Sequence, residues 1–101
     1  MEFVDAAPES SVPQNGGLRV LVCGRPVSVF RTSQGLVAFD DNCPHAGAPL
    51  SAGIYRDGVV VCAWHGFTFD AATGACTLYP GGPSAAPRAV RVEAGRVLVA
   101  V

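Results

Sequence analysis

Four residues of this 101-residue chain could hold a metal together. Cys43-Pro44-His45 and Cys62-Ala63-Trp64-His65 form a C-x-H pair and a C-x2-H pair, separated by sixteen residues. They include both of the chain's His and two of its four Cys. Thiolate and imidazole suit zinc or iron–sulfur centres and are poor ligands for calcium or magnesium. Spacing alone leaves two readings open. A closed tetrahedral zinc site takes two Cys and two His. Zinc motifs, however, usually group like ligands, Cys with Cys and His with His. Here each segment supplies one Cys and one His. Two Cys can then converge on one metal and two His on a second, a division that a diiron cluster needs and a single zinc does not. The spacing favours the cluster.

Little other chemistry is available. With both His in the cluster, no Cys–His or Ser–His nucleophilic pair is left over. Carboxylates are sparse, and no glycine fingerprint for a dinucleotide follows a strand. The expectation is an electron-transfer component and not itself an enzyme. The seven basic residues are all Arg and are scattered, and net charge is −1, so no nucleic-acid footprint is expected. No apolar run approaches the roughly 18 residues of a membrane helix. Met1 to Ser10 holds three acidic residues and no apolar stretch, unlike a signal peptide. A cytoplasmic location follows as the expectation, and there clustered Cys are metal ligands more often than disulfides.

The elements that must position the four ligands are short strands. Val dominates the apolar residues, and 12 Gly and 8 Pro punctuate the chain. Alternation predicts a strand start at Phe3-Val4, then strands at Leu18–Val22, Pro26–Phe30 and Leu36–Phe39. Arg56-Asp57-Gly58 turns Ile54-Tyr55 into Val59–Cys62. Thr68-Phe69 and Ala75–Tyr79 flank a turn at Asp70–Gly74. Ala89–Glu93 and Arg96–Val101 close the chain as a hairpin around Ala94-Gly95. Both ligand pairs fall in irregular segments that follow strands. No helical periodicity survives the Gly and Pro. The chain reads as one all-β domain, residues 1–101, with antiparallel sheets in a partly open barrel or sandwich.

Cys43-Pro-His45-Ala-Gly-Ala-Pro-Leu50 and Cys62-Ala-Trp-His65-Gly-Phe-Thr-Phe-Asp70-Ala-Ala-Thr-Gly74 closely resemble the two cluster loops of Rieske-type [2Fe–2S] ferredoxins. The likeness spans Leu36 to Val101 well, and the first third only in strand pattern. It implies a Rieske-type iron–sulfur fold with a two-loop cluster-binding part at about residues 40–82. It also implies one [2Fe–2S] cluster, with Cys43 and Cys62 on the inner iron and His45 and His65 on the outer, solvent-facing iron. Pro80–Pro87 would be a third loop covering the cluster. Ala63 departs from the Pro common at that place in the family, which bears only on loop stiffness. Ala48 and Trp64 stand where high-potential members carry a disulfide. Phe67 and Phe69 stand where those members place Ser and Tyr hydroxyls. Fewer hydrogen bonds to cluster sulfur imply a potential near the low end of the Rieske range, about −150 mV.

The resemblance implies a soluble carrier, monomeric when free, that docks transiently with a reductase and a terminal oxygenase such as an aromatic-ring dioxygenase. A small subunit partnering the large subunit of an NAD(P)H-dependent nitrite reductase is the alternative, and a zinc-stabilised β interaction module is the alternative of another class. An oxygenase itself would need a further iron domain, for which 101 residues leave no room. Among the remaining residues, Cys23 and Cys76 are expected in strands as buried core. Trp64 is expected to shield the cluster, with docking a partner as the alternative, and Asp40-Asp41 to lie in a solvated loop. Asp70 should cap the turn to Gly74. The Arg should be ordinary surface charges, and Gly47, Gly53 and Gly66 should serve loop geometry.

Overall fold

The computed structural model describes residues 2–44, 47–64, 66–78 and 82–100. Its regular elements are ten strands and two single-turn 3₁₀ segments, Glu9–Ser11 and Leu50–Ala52. One sheet orders β1 (Phe3–Pro8), β10 (Arg96–Ala100) and β9 (Val90–Glu93). A second orders β2 (Gly17–Val22), β3 (Arg25–Thr32), β4 (Gly35–Asp40) and β8 (Pro87–Arg88). The third consists of β5 (Ile54–Arg56), β6 (Val59–Val61) and β7 (Thr68–Asp70). All pairings are antiparallel, and no sheet closes into a barrel.

Tight turns set the registers. Val22↔Arg25, Arg56↔Val59 and Glu93↔Arg96 each bracket two central residues. In all three turns both central residues have positive φ, including the non-glycines Cys23, Asp57 and Ala94. That is the type I′ geometry whose twist matches the flanking strands. Pro87 lacks a ladder N–H, and it sits in β8 at the sheet edge, where that loss is tolerated.

The β3–β4 pair is a wall between two cores, because successive side chains point to opposite faces. Val27, Val29 and Ala38 face a core shared with Val20, Val22, Val97 and Val99. Phe30 and Phe39 face the other, with Leu50, Val60, Phe69, Cys43 and Cys62. The second core is the floor of the loop end. A bridge between Gly16 and Ile54, and Tyr55 N–H donating to the Asn15 carbonyl at 3.0 Å, tie the three-stranded β5–β7 sheet to the chain entering β2.

Three expectations change. Cys23 is exposed in a turn at φ 52°, not buried in a strand. Its neighbour Gly24 and the reversal into β3 take it out of the alternation. Ala75–Tyr79 does not form a regular strand. Among the described residues it meets β7 through a bridge from Cys76 to Phe69, Asp70 N–H donating to the Ala75 carbonyl at 2.8 Å and Thr77 N–H donating to the Thr68 carbonyl at 2.9 Å, and Tyr79 lies outside the described residues. Asp40-Asp41 is not a solvated loop, as the site makes plain.

Candidate metal centre

The two loops that carry the predicted ligands are built alike. Cys43 N–H donates to the Ala48 carbonyl at 2.7 Å, and Cys62 N–H donates to the Phe67 carbonyl at 2.7 Å. Each bond closes a six-residue loop opening on a Cys. Each loop then reverses through a glycine four residues after that Cys, Gly47 at φ 71° and Gly66 at φ 67°. A side chain at either place would be strained. Cys-to-Gly spacing was the sequence signal for this equivalence, and motif spacing alone did not draw attention to it.

Closing both loops brings their cysteines together. Cys43 and Cys62 are buried, at 0 % and 1 % exposure, and their side chains are within hydrogen-bonding reach. Burial pushes the Cys62 thiol up, and its hydrogen bond with Cys43 pushes the same way. The backbone N–H of Trp64 opposes both, while charge repulsion from Cys43 adds to them. Two adjoining buried thiols are a costly arrangement to ionise without a cation between them. They fit the sulfur side of a metal or cluster ligand set. His45 and His65 lie outside the described residues.

The loop bases are held by charges that sequence reading assigned to solvent. The Asp41 side chain is fully buried. Its Oδ1 accepts the Ser51 N–H at 2.7 Å, and its Oδ2 accepts the Ser51 hydroxyl at 2.7 Å and Arg19 Nη1 at 3.0 Å. Asp41 and Ser51 bracket the first ligand loop, so one carboxylate joins its two ends. Asp40 pairs with Arg88 Nε at 2.7 Å, and its N–H donates to the Ala86 carbonyl at 2.9 Å. Ala85 N–H donates to the Gly74 carbonyl at 2.8 Å, and Ala85 is buried in the site-side core. The described end of the Pro-rich segment is thereby fastened between β4 and the Asp70–Gly74 turn; Tyr79, Pro80 and Gly81 lie outside the description. Asp70 caps its turn as expected, accepting Ala72 N–H at 2.7 Å.

Trp64 is 55 % exposed. It stands in contact with solvent. Phe69 is fully buried in the same core as both cysteines, and Phe67 is buried beside them. Cys76 is half-buried against that core, as a packing residue. Arg19, Arg31, Arg88, Arg91 and Arg96 all pair with carboxylates, so most of the Arg are fasteners between elements.

A family model for the Rieske [2Fe–2S] domain matches residues 2–92. The oxygenase component of dicamba O-demethylase from Stenotrophomonas maltophilia is 37 % identical over 92 residues, covering 90 % of this chain and 26 % of that protein. The chain spans only about a sixth to a quarter of the length of the first curated relatives it matches. Among solved structures, the ferredoxin of carbazole 1,9a-dioxygenase from Nocardioides aromaticivorans IC177 superposes with a TM-score of 0.87 at 27 % identity, covering 99 % of this chain and 98 % of that one. A chain assigned as the small subunit of an NADPH nitrite reductase superposes with a TM-score of 0.87 over 100 % of both chains; at 22 % identity this likeness is one of fold.

Proposed function

The chain belongs to the Rieske [2Fe–2S] domain family, and from that premise we propose that it is a soluble, low-potential one-electron carrier working between a reductase and a terminal oxygenase. Family membership implies a Rieske-type [2Fe–2S] cluster, so the reading as a zinc-stabilised interaction module falls away. We assign Cys43 and Cys62 to the inner iron and His45 and His65 to the outer. The observation that carries the assignment is the pair of buried, adjoining thiols at the mouths of two equivalent loops.

When bound, the cluster supplies a one-electron couple of low-to-moderate potential. Everything else is the work of the chain. Loading requires both thiols to give up their protons, against the burial that favours keeping them. Gly47 and Gly66 permit the sharp reversals of the two loops. Asp41 and Asp40 hold the loop bases, which limits how far the ligands move between oxidation states. The fully buried Phe69 ring carries no hydroxyl to stabilise the reduced state, which supports a potential near the low end of the Rieske range. The larger surface clefts enclose about 270 and 300 Å³, and neither is lined by Cys43 or Cys62.

The oxygenase partner is supported by the end-to-end likeness to a dioxygenase ferredoxin. The nitrite reductase alternative rests on fold alone. The test is anaerobic purification with assays of iron, sulfide and zinc, followed by EPR of the reduced protein. About two irons and two sulfides per chain are expected, with a rhombic signal of lower average g than a four-cysteine cluster. Substituting any one of Cys43, His45, Cys62 or His65 by Ala should abolish that signal. Stoichiometric zinc without sulfide would end the proposal.

A further inference from the structure

We propose that the loop end of this carrier docks an uncharged, apolar partner face surrounding the partner's own redox group, and that apolar burial, not charge, drives the encounter. The inference rests on the carrier reading above and adds the chemistry of the partner.

Segments 42–55, 58–69 and 71–87 supply the three loops and contain no Asp, Glu, Lys or Arg. All fifteen charged side chains lie elsewhere. Those nearest the loops are paired or lie at the loop bases, where Arg25 lines a cleft with Asp40, Asp41 and Asn42. Asp41 is buried and paired with Arg19, and Asp40 with Arg88. Arg56, Asp57 and Asp70 lie at the far end of the β5–β7 sheet, because Val59 pairs with Asp70 there while Val61 pairs with Thr68 at the loop end. Two residue steps of strand put about 7 Å between Asp70 and Thr68 at the loop end of that sheet. Three large apolar side chains are exposed in these segments, Trp64 at 55 %, Leu78 at 46 % and Ile54 at 44 %, the last paired with Val61 next to the Cys62 loop. They belong to one region. Thr77 is hydrogen-bonded to Thr68, whose strand neighbour is Val61, so Leu78 lies two strand spacings from the Cys62 loop that bears Trp64.

A charged partner face pressed onto this surface would lose hydration and meet no counter-charge, which costs affinity. An uncharged apolar face would cover Trp64 and Leu78 and release water from both. Exposed Trp is also the residue type most often found dominating contact energy.

The test uses reduced holoprotein and three one-electron acceptors. They are a neutral quinone, a blue-copper protein with an uncharged apolar rim, and a c-type cytochrome whose haem edge is ringed by Lys. In each encounter one electron leaves the carrier and reduces the acceptor. The expected rate to the blue-copper protein changes less than about two-fold between about 20 and 500 mM salt, with the cytochrome slower at every salt concentration. The ratio of blue-copper rate to quinone rate should fall about tenfold in Trp64→Ala and also fall in Leu78→Ser. A faster, steeply salt-dependent reaction with the cytochrome would overturn the proposal, as would an unchanged ratio in both variants. If Trp64→Ala loses the cluster, Leu78→Ser and the salt profiles decide alone. Failure of the carrier reading looks different, since the protein would then hold no iron or pass no electron to the quinone.

Discussion

Asp41→Ala isolates the difference between a solvated loop and a fastened one. The substitution removes the acceptor for three hydrogen bonds, two from Ser51 and one from Arg19. Arg19 is 53 % exposed and returns to water, so its share is small, about 0.5 kcal/mol. The Ser51 N–H and hydroxyl are left in a partly buried place without their carboxylate, at about 1 to 2 kcal/mol each. The total is about 3 kcal/mol, which for a domain of this size lowers Tm by about 12 to 24 °C. Asp41→Asn keeps the Oδ1 acceptor for the Ser51 N–H and should lose about half as much. Ser51→Ala, which keeps the backbone donor, should cost about 1 kcal/mol. Thermal melts of apo and holo forms by circular dichroism measure all three. An exposed, solvated Asp would give a change within about 0.5 kcal/mol. A Tm for Asp41→Ala within about 3 °C of the parent would therefore refute the buried-clamp argument.

Other outcomes follow from the same structure. At Gly53 an added Cβ would lie 1.9 Å from the Val61 carbonyl oxygen, so Gly53→Ala should force β5 from β6 and cost about 3 kcal/mol or more, read by denaturant titration. The raised Cys62 thiol favours the protonated form in the folded apo state, so the folded chain holds more protons than the unfolded one above the ordinary thiol range. Apo stability should thus be unaffected below that range and fall as pH rises through it; Cys62→Ser should flatten the fall, and an equal slope in both proteins would contradict it. Phe69→Tyr adds a hydroxyl within the core that holds both cysteines. If it reaches a ligand sulfur, one hydrogen bond favouring the reduced state by about 1.4 kcal/mol raises the midpoint by about 60 mV, which a redox titration resolves, and an unmoved midpoint counts against that geometry.

The strand order along the chain, the hairpin turns and the location of Cys43 and Cys62 in loops were legible because each depends on neighbours in sequence. Alternation with period two marked Leu18–Val22 and Leu36–Phe39, and turn residues marked Asp57-Gly58 and Ala94-Gly95. What sequence could not decide was the company each residue keeps. Cys23 continues an apolar run, yet the two-residue register of its hairpin turns it out to solvent. Asp41 has the composition of a surface loop, yet Arg19 from β2 and Ser51 from beyond the ligand loop close over it. Ala75–Tyr79 alternates like a strand, but its described residues meet β7 through Ala75, Cys76 and Thr77 without forming a regular ladder.

The sequence by itself determined which side chains are candidate donors and how they are spaced along the chain, because ligand chemistry is a property of side-chain type and local spacing. Only the tertiary structure decided that the two cysteines meet, since Cys43 and Cys62 are brought together by loop closures and by strand pairings that sequence distance does not specify. It also decided that the charges flanking the loops are paired at their base while Trp64 and Leu78 face outward. Burial and pairing are relations between distant segments, and they exist only once the sheets have packed.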